Sequence, residues 1–529
     1  MTSSRIARLV ACAVALPLSF GAAAPASDPA KRLIAVDIAA AATPVDRFYD
    51  LSVGSDFPGT LIRQDSQAQL GTAVNELGFR YLRFHGIFHD VLGTVRAADG
   101  RMTYDWRGID RLYDAMLTKG IRPFVELGFT PDALKTSEQT LFYWKGNTSH
   151  PKLDGWRDLV DSFVRHCRER YGEAEVRRWY FEVWNEPNLK DFWEGADQKA
   201  YLNLYETSAK AIKAIDPALR VGGPATAGVD WIPAFLDHAA RNRIPVDFVS
   251  THTYGVDGGF LDEQGKQDTK LLMTPDAIVA DVHKARRQIS ASAFPGLPLF
   301  FTEWSASYTP RDFVHDSYIS APYILSKLKR SQGALQGMSY WTYSDLFEEP
   351  GPPPTPFHGG FGLMNREGIR KPAWFAYKYL HALRGKSVPV TDENAMVAVN
   401  GRYTAALVWD WHQPEQAVSN KPFYTRLVPA AASAPVSLAF AHVAPGRYRV
   451  RLYRTGYRRN DPLSAYIDMK MPAQFDASQL ARMRAVTADA AEIDRVMRVG
   501  TDERLSIRVT MNINDVALVT FEPVSSVKR

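Results

Sequence analysis

The chain has 529 residues, of which 46% are hydrophobic and 23% charged, and Lys plus Arg exceed Asp plus Glu by a net charge of only +5. These are the values of a folded globular protein. They exclude an intrinsically disordered chain, and the absence of any long basic run or basic helical stripe argues against a nucleic-acid partner.

The first 26 residues read as a secretory signal: Arg5 and Arg8, an apolar run from Leu9 to Ala24, and the small-residue site Ala24-Pro25-Ala26. The expected mature protein is therefore periplasmic or extracellular. No later apolar run reaches the length of a membrane span, so no membrane association is expected once the signal is gone. Cys12 would leave with the signal and Cys167 alone would remain, which allows no internal disulfide.

Residues 27–44 contain one isolated strand pattern, Leu33 to Ile38. From 45 to 384 short β-branched or aromatic runs alternate with amphipathic helical stretches. The runs are Tyr49 to Val53, Phe79 to Phe84, Arg122 to Leu127, Tyr180 to Trp184, Arg220 to Gly222, Asp247 to Thr251, Leu299 to Glu303 and Gly337 to Tyr343. Eight strand–helix repeats in order predict an α/β fold, the (β/α)8 TIM barrel. A doubly wound sheet is the rival, but no Gly-rich phosphate turn follows the first strand. After 385 the strands follow one another without long helices: Thr404 to Trp411, Pro435 to Phe440, Tyr448 to Tyr453, Leu505 to Met511 and Val516 to Phe521, with one helix near Ala477 to Thr487. Residues 385–529 therefore predict an accessory β-sandwich, which the strand in 27–44 would join.

Two glutamates stand at barrel strand ends, where a (β/α)8 enzyme collects its functional groups. Glu186 lies in Val183-Trp-Asn-Glu-Pro187 after the fourth strand, and Glu303 in Phe301-Thr-Glu-Trp304 at the seventh. Two facing carboxyl groups are the minimum equipment for cleaving a glycosidic bond: one donates a proton to the leaving oxygen while the other, ionised, attacks or steadies the anomeric centre. His85 in Arg83-Phe-His-Gly86 and His252 in Thr251-His-Thr-Tyr254 end the second and sixth strands and offer donors nearby. Arg83 could pair with Glu303. The proline-rich segment 344–362 reads as a stiff wall beside Trp341 and Glu348, which favours an exo-acting pocket. His85 and His89 would have metal-compatible spacing only on a helix, and no further ligands complete a shell, so neither a metal nor any other cofactor is expected.

The strings Arg83–Asp90, Arg122–Phe129, Trp184–Pro187, Thr302–Trp304 and Tyr340–Glu348 together resemble glycoside hydrolase family 39, and Tyr466-Ile-Asp-Met469 resembles its accessory domain. That family includes β-xylosidases and α-L-iduronidases acting with retention. The resemblance implies Glu186 as acid/base and Glu303 as nucleophile, Asn185 at the sugar 2-hydroxyl, and His85, His252, Tyr254, Trp341 and Glu348 around the terminal sugar. It is nearer the bacterial xylosidase pattern, which implies release of xylose from the non-reducing end of short β-xylo-oligosaccharides. Alternatives are another glycoside (arabinoside, iduronide or exopolysaccharide) or a non-catalytic sugar-binding protein on the same scaffold. The expected partner is an oligosaccharide, and a monomer is favoured.

Overall fold

In the computed structural model, which describes residues 32–98 and 101–524, eight parallel strands close a barrel. They are Ser52–Ser55, Tyr81–Phe84, Arg122–Leu127, Tyr180–Val183, Arg220–Ala227, Phe248–Tyr254, Leu299–Ser305 and Gly337–Tyr340, and the eighth pairs with the first to seal the ring. The TIM barrel read from the sequence is thus the observed fold, with every expected strand present and its ends moved by a few residues. The predicted signal segment lies outside the described residues.

The helices wrap the ring through apolar residues at helical spacing, in a single stripe for most and nearly all round for Ser320–Ser331 and Pro372–His381. Leu153–Tyr171 buries Trp156, Leu159, Val160, Phe163, Val164 and Cys167, a spacing of three and four that keeps all six on one face. Cys167 is thereby a packed core residue. Gly172, at φ 84°, ends that helix in a conformation a side chain would resist.

Inside the barrel the two-residue period of the strands sorts side chains into layers. Tyr81, Phe124, Tyr180, Phe248 and Phe300 meet edge to face or stacked, with ring centres 4.8 to 5.8 Å apart, and plug the N-terminal end. Two residues further along the same strands stand Arg83, Glu126, Glu182 and Thr302, and four along the sixth stands His252. An aromatic floor therefore carries a polar storey at the C-terminal mouth. Each buried ring of that floor contributes about 2 kcal/mol, and the floor seals the polar groups above it from water.

The remaining strands form two further sheets. Arg32–Asp37, Ala432–Ala441 and Leu505–Asn512 make one, the first two running parallel. Lys386–Val388, Ala395–Asn400, Tyr403–Trp409, Val516–Pro523, Gly446–Thr455 and Ile493–Val499 make the other. Their inner faces share a core that includes Ile34, Val36, Leu438, Phe440, Val450, Ile507, Val509 and Phe521. Arg32–Asp37 pairs along Val436–Ala441 of the three-stranded sheet. Ala477–Val486 is the expected helix, started by an Asp476/Gln479 capping box.

Two hairpins were not legible in the sequence: Val95–Ala98 with Arg101–Tyr104, and Val256–Leu261 with Gln267–Leu271 after the sixth barrel strand. The second is held from the sandwich by a crossing segment between Tyr403–Trp409 and Ala432–Ala441, which contains the short helix Asn420–Tyr424. Asn420 Nδ2 donates to Asp312 Oδ2 at 2.8 Å, the same oxygen that accepts the Thr269 hydroxyl at 2.6 Å, and Lys421 Nζ donates to Asp262 at 2.6 Å.

Candidate active site

Glu303 faces the barrel mouth because the pairing register of its strand shifts between Phe301 and Glu303. Strict alternation would send Thr302 and Glu303 to opposite sides, and the irregularity lets both reach the interior. Glu186 is brought round by a sharp turn after the fourth strand in which Trp184 (φ 71°) and Glu186 (φ 44°) adopt left-handed backbone conformations. Such positions cost about 1 kcal/mol each for residues other than glycine. The two carboxyl groups meet: one oxygen of each, with a ring nitrogen of His252, lie within 4.8 Å of one another.

Their surroundings differ. Glu303 Oε1 accepts from Arg83 Nη1 at 2.7 Å and Oε2 from the Tyr254 hydroxyl at 2.7 Å. Two donors on one carboxylate suit an anion. Glu186 has no arginine partner. Burial pushes its pKa up to about 7, partly opposed by the positive charges of His85 and Arg83. The site therefore pairs a proton-bearing carboxyl with one arranged as an anion.

Arg83 is the hub. Fully buried, it donates to Glu182 at 2.6 Å, Glu303 at 2.7 Å and Asn185 Oδ1 at 2.9 Å, and lies 3.0 Å from Glu126. Its fork fixes Asn185 beside Glu303. His85 Nδ1 meets Glu126 at 2.7 Å, and its Nε2 points toward Glu303 at 3.7 Å and Glu349 at 3.6 Å. Burial opposes the His85 imidazolium, but Glu126 and the other two carboxyl groups hold its pKa up at about 9. His252 Nδ1 lies 2.9 Å from Glu186 and 3.7 Å from Glu303, but burial outweighs the pull of Glu303 and pushes its pKa down to about 4. The Trp341 ring backs His85 at 4.8 Å.

A cavity of about 570 Å³ opens on these groups, within the range of small-molecule sites. A larger groove of about 1170 Å³ runs outside the barrel along Leu153–Tyr171 and Gln198–Ile215, but it is shallow, solvent-facing and holds no buried ionisable group. The smaller cavity is the chemical one. Seven of the eight residues expected in the site come together there: Glu186, Glu303, His85, Asn185, Tyr254 and Trp341 line it, and His252 stands directly behind.

Glu348 does not. It turns outward onto Arg63 at 2.7 Å, and its neighbour Glu349 faces the cavity instead, within 3.3 Å of the Tyr143 hydroxyl. The backbone N–H of Glu348 is tied to Asp56, which fixes the loop with the next residue inward. Burial raises the Glu349 carboxyl to about 8, opposed by His85. Pro350 and Phe361 of the same loop line the cavity, so the expected wall exists with its register moved by one. His89 is not on a helix with His85; it caps a 3-10 turn and stacks on Phe57.

The outer rim, which sequence reasoning did not find, is apolar. Phe142, Leu189 and Tyr308 are 45%, 38% and 49% exposed, yet all line this one cavity. Asp281, bonded to the Thr253 hydroxyl at 2.6 Å, adds a polar edge. Loop residues carry no periodic signal that could have announced them.

The family model described as "Glycosyl hydrolases family 39" matches residues 32–503. A beta-xylosidase of Geobacillus stearothermophilus is 41% identical over 371 residues, covering 68% of this chain and 73% of that one. Among solved structures, a GH39 enzyme from Xanthomonas axonopodis pv. citri is 68% identical with a TM-score of 0.93, covering 94% of this chain and 98% of its own. A monomeric beta-xylosidase from Caulobacter crescentus CB15 is 62% identical with a TM-score of 0.92, covering 93% and 100%.

Proposed function

The chain belongs to glycosyl hydrolase family 39 and is a glycosidase, and on that premise we propose that it is a secreted, monomeric, retaining β-xylosidase that releases xylose from the non-reducing end of short xylo-oligosaccharides. The observation that carries the mechanism is that one oxygen of each carboxyl group lies within 4.8 Å of the other, a close approach that favours the narrower of two known spacings. A retaining enzyme needs about 5 to 5.5 Å, whereas inversion needs roughly 6.5 to 9.5 Å to admit a water between sugar and base.

In the first step a Glu303 oxygen attacks the anomeric carbon as the glycosidic C–O bond breaks, and the Glu186 proton passes to the leaving oxygen. A glycosyl ester on Glu303 results. Water then attacks the same carbon, giving its proton to Glu186 while the ester bond breaks and Glu303 is restored. Asn185, His85, Trp341 and Glu349 surround the bound sugar. The wall of Glu349, Pro350 and Phe361 supports a closed subsite and hence exo action, and the apolar rim of Phe142, Leu189 and Tyr308 is placed to stack on the departing unit.

A neutral pentoside is supported over a uronide by charge. No lysine or arginine lines the cavity among the described residues, the cationic His85 that does line it is paired with Glu126 at 2.7 Å, and Arg83 is already committed to carboxylates and Asn185. The amino-terminal pattern supports export, and the resemblance to a monomeric relative supports the monomer. The test is a panel of aryl glycosides (β-xyloside, β-glucoside, α-arabinoside, α-iduronide), followed by proton NMR of early hydrolysis. The β-anomer of xylose should form first; an initial α-anomer would overturn retention.

A further inference from the structure

Behind Glu186 runs a line of polar groups that ends on Arg83. Glu186 Oε1 lies 2.9 Å from His252 Nδ1, and His252 Nε2 lies 3.1 Å from Thr302 Oγ1. The Thr302 hydroxyl donates to Glu182 Oε1 at 2.7 Å, and Glu182 Oε2 accepts from Arg83 Nε at 2.6 Å. Arg83, Glu182, His252 and Thr302 are all buried.

A threonine hydroxyl has a single hydrogen. Here it goes to Glu182, so toward His252 the oxygen can only accept, and Nε2 must carry the ring hydrogen. His252 is neutral, since burial holds its pKa at about 4. Its Nδ1 is therefore a bare lone pair. With His252 neutral, the hydrogen in the 2.9 Å contact then belongs to Glu186, which makes Glu186 a carboxylic acid.

We propose that Thr302 is a positioning residue that locks His252 in the Nε2–H tautomer, and that this tautomer keeps the proton of Glu186 on Oε1. The inference rests on the reading of Glu186 as general acid and deepens it. The lock serves both steps. It offers the acid an acceptor before reaction, and it withholds a donor from ionised Glu186 afterwards, which leaves that carboxylate basic enough to take the proton of water. Without the threonine hydroxyl, His252 can turn over to the Nδ1–H form, donate to ionised Glu186 and lower its pKa. The other groups facing Glu186 are Arg83 and His85 from the second strand, Glu126 from the third and Glu303 from the seventh. Thr302→Val is nearly isosteric and leaves all of them in place.

The test compares the pH dependence of kcat/KM for xylobiose in the full chain, Thr302→Val, Thr302→Ser and Glu186→Ala. The alkaline limb should move down by about one pH unit in Thr302→Val, a roughly tenfold loss on that limb, and return in Thr302→Ser. Loss should be smaller on 2,4-dinitrophenyl β-xyloside, which needs little acid assistance. Nitrogen-15 NMR of labelled His252 gives a second readout that needs no variant of Thr302: Nδ1 should resonate as an unprotonated ring nitrogen in the wild type. An unmoved limb in Thr302→Val, a loss equal at every pH, or a protonated Nδ1 in the wild type would each overturn the lock. If instead the wild type has no alkaline limb that Glu186→Ala removes, it is the acid role that fails, and the NMR result still decides the tautomer.

Discussion

Glu186→Ala removes a carboxylic acid that burial holds at a pKa of about 7, against an ordinary value of 4.5. At pH 6 a group with the higher pKa is about nine-tenths protonated and one with the lower about 3% protonated, so burial makes the acid form roughly thirtyfold more abundant. General acid catalysis contributes about 10²- to 10⁴-fold, or roughly 3 to 5 kcal/mol of barrier. The full loss should fall on xylobiose, whose leaving alkoxide cannot depart without a proton; a drop of about 10³-fold in kcat/KM is expected. For 2,4-dinitrophenyl β-xyloside, whose phenolate leaves unassisted, the drop in kcat/KM should stay below about tenfold. The wild type should also lose about tenfold in kcat/KM per pH unit above about 7 with xylobiose, as Glu186 deprotonates, and the variant should lack that limb. Initial rates on both substrates, from about pH 5 to pH 9, measure both effects. Equal losses on the two substrates, or the same limb surviving in Glu186→Ala, would refute the role and the burial argument behind it.

The remaining expectations concern the frame around the two glutamates. Glu349 binds its proton more tightly folded than unfolded, so the native state gains protons relative to the unfolded chain and stability falls as pH rises toward about 8; Glu349→Gln should flatten the decline of the thermal midpoint between pH 5 and pH 8, and an unchanged slope would count against that proton. Lys371, fully buried between Asp316 and Asp345 at 2.6 Å each, leaves two unpaired carboxyl groups when changed to Met, so Lys371→Met should cost about 3 to 5 kcal/mol in denaturant unfolding. A Cβ at Gly54 would lie 2.2 Å from Trp341 Cε3; Gly54→Ala should displace that ring from behind His85 and lower kcat/KM by about 10²-fold with the fold retained by circular dichroism. Asn420→Ala removes a donor from Asp312, near the rim residues Tyr308 and Pro310, and should raise KM for xylobiose more than it lowers kcat.

The barrel was legible because both periods were clean: apolar stripes such as Trp156 to Cys167 mark helices, and short β-branched or aromatic runs mark strands. Glu186 and Glu303 were legible because each closes such a run. The polar storey was less so, although Glu126 and Glu182 sit two residues beyond Phe124 and Tyr180, and a reading that asked which way each strand residue points would have put both inside. Glu348 against Glu349 shows the limit. In an aperiodic, proline-rich loop nothing local fixes which of two adjacent side chains faces inward, and the choice is made by distant groups, Arg63 and Asp56. The rim of Phe142, Leu189 and Tyr308 comes from three unrelated loops, and Thr302 looks like an ordinary strand threonine until the shifted register of its strand is known. The three strands missed in the sandwich include Lys386–Val388, too short for its period to show, and Ile493–Val499, in which charged residues interrupt the apolar alternation.

Arg32–Asp37 lies parallel to Ala432–Ala441 in the three-stranded sheet, so the barrel is an insertion within the sandwich's own sequence. The ribosome delivers the sandwich's opening strand first and its partners only after the entire barrel has been made. Proteolysis is constrained in the same way: a single nick in the linker near residue 384 would leave the fragments clasped through this strand, and a second cut ahead of the barrel would still leave Asn420 and Lys421 bonded to the barrel's Asp312 and Asp262. A fragment intended to carry the barrel alone must therefore be trimmed at both ends, and one intended to carry the sandwich must supply the missing strand.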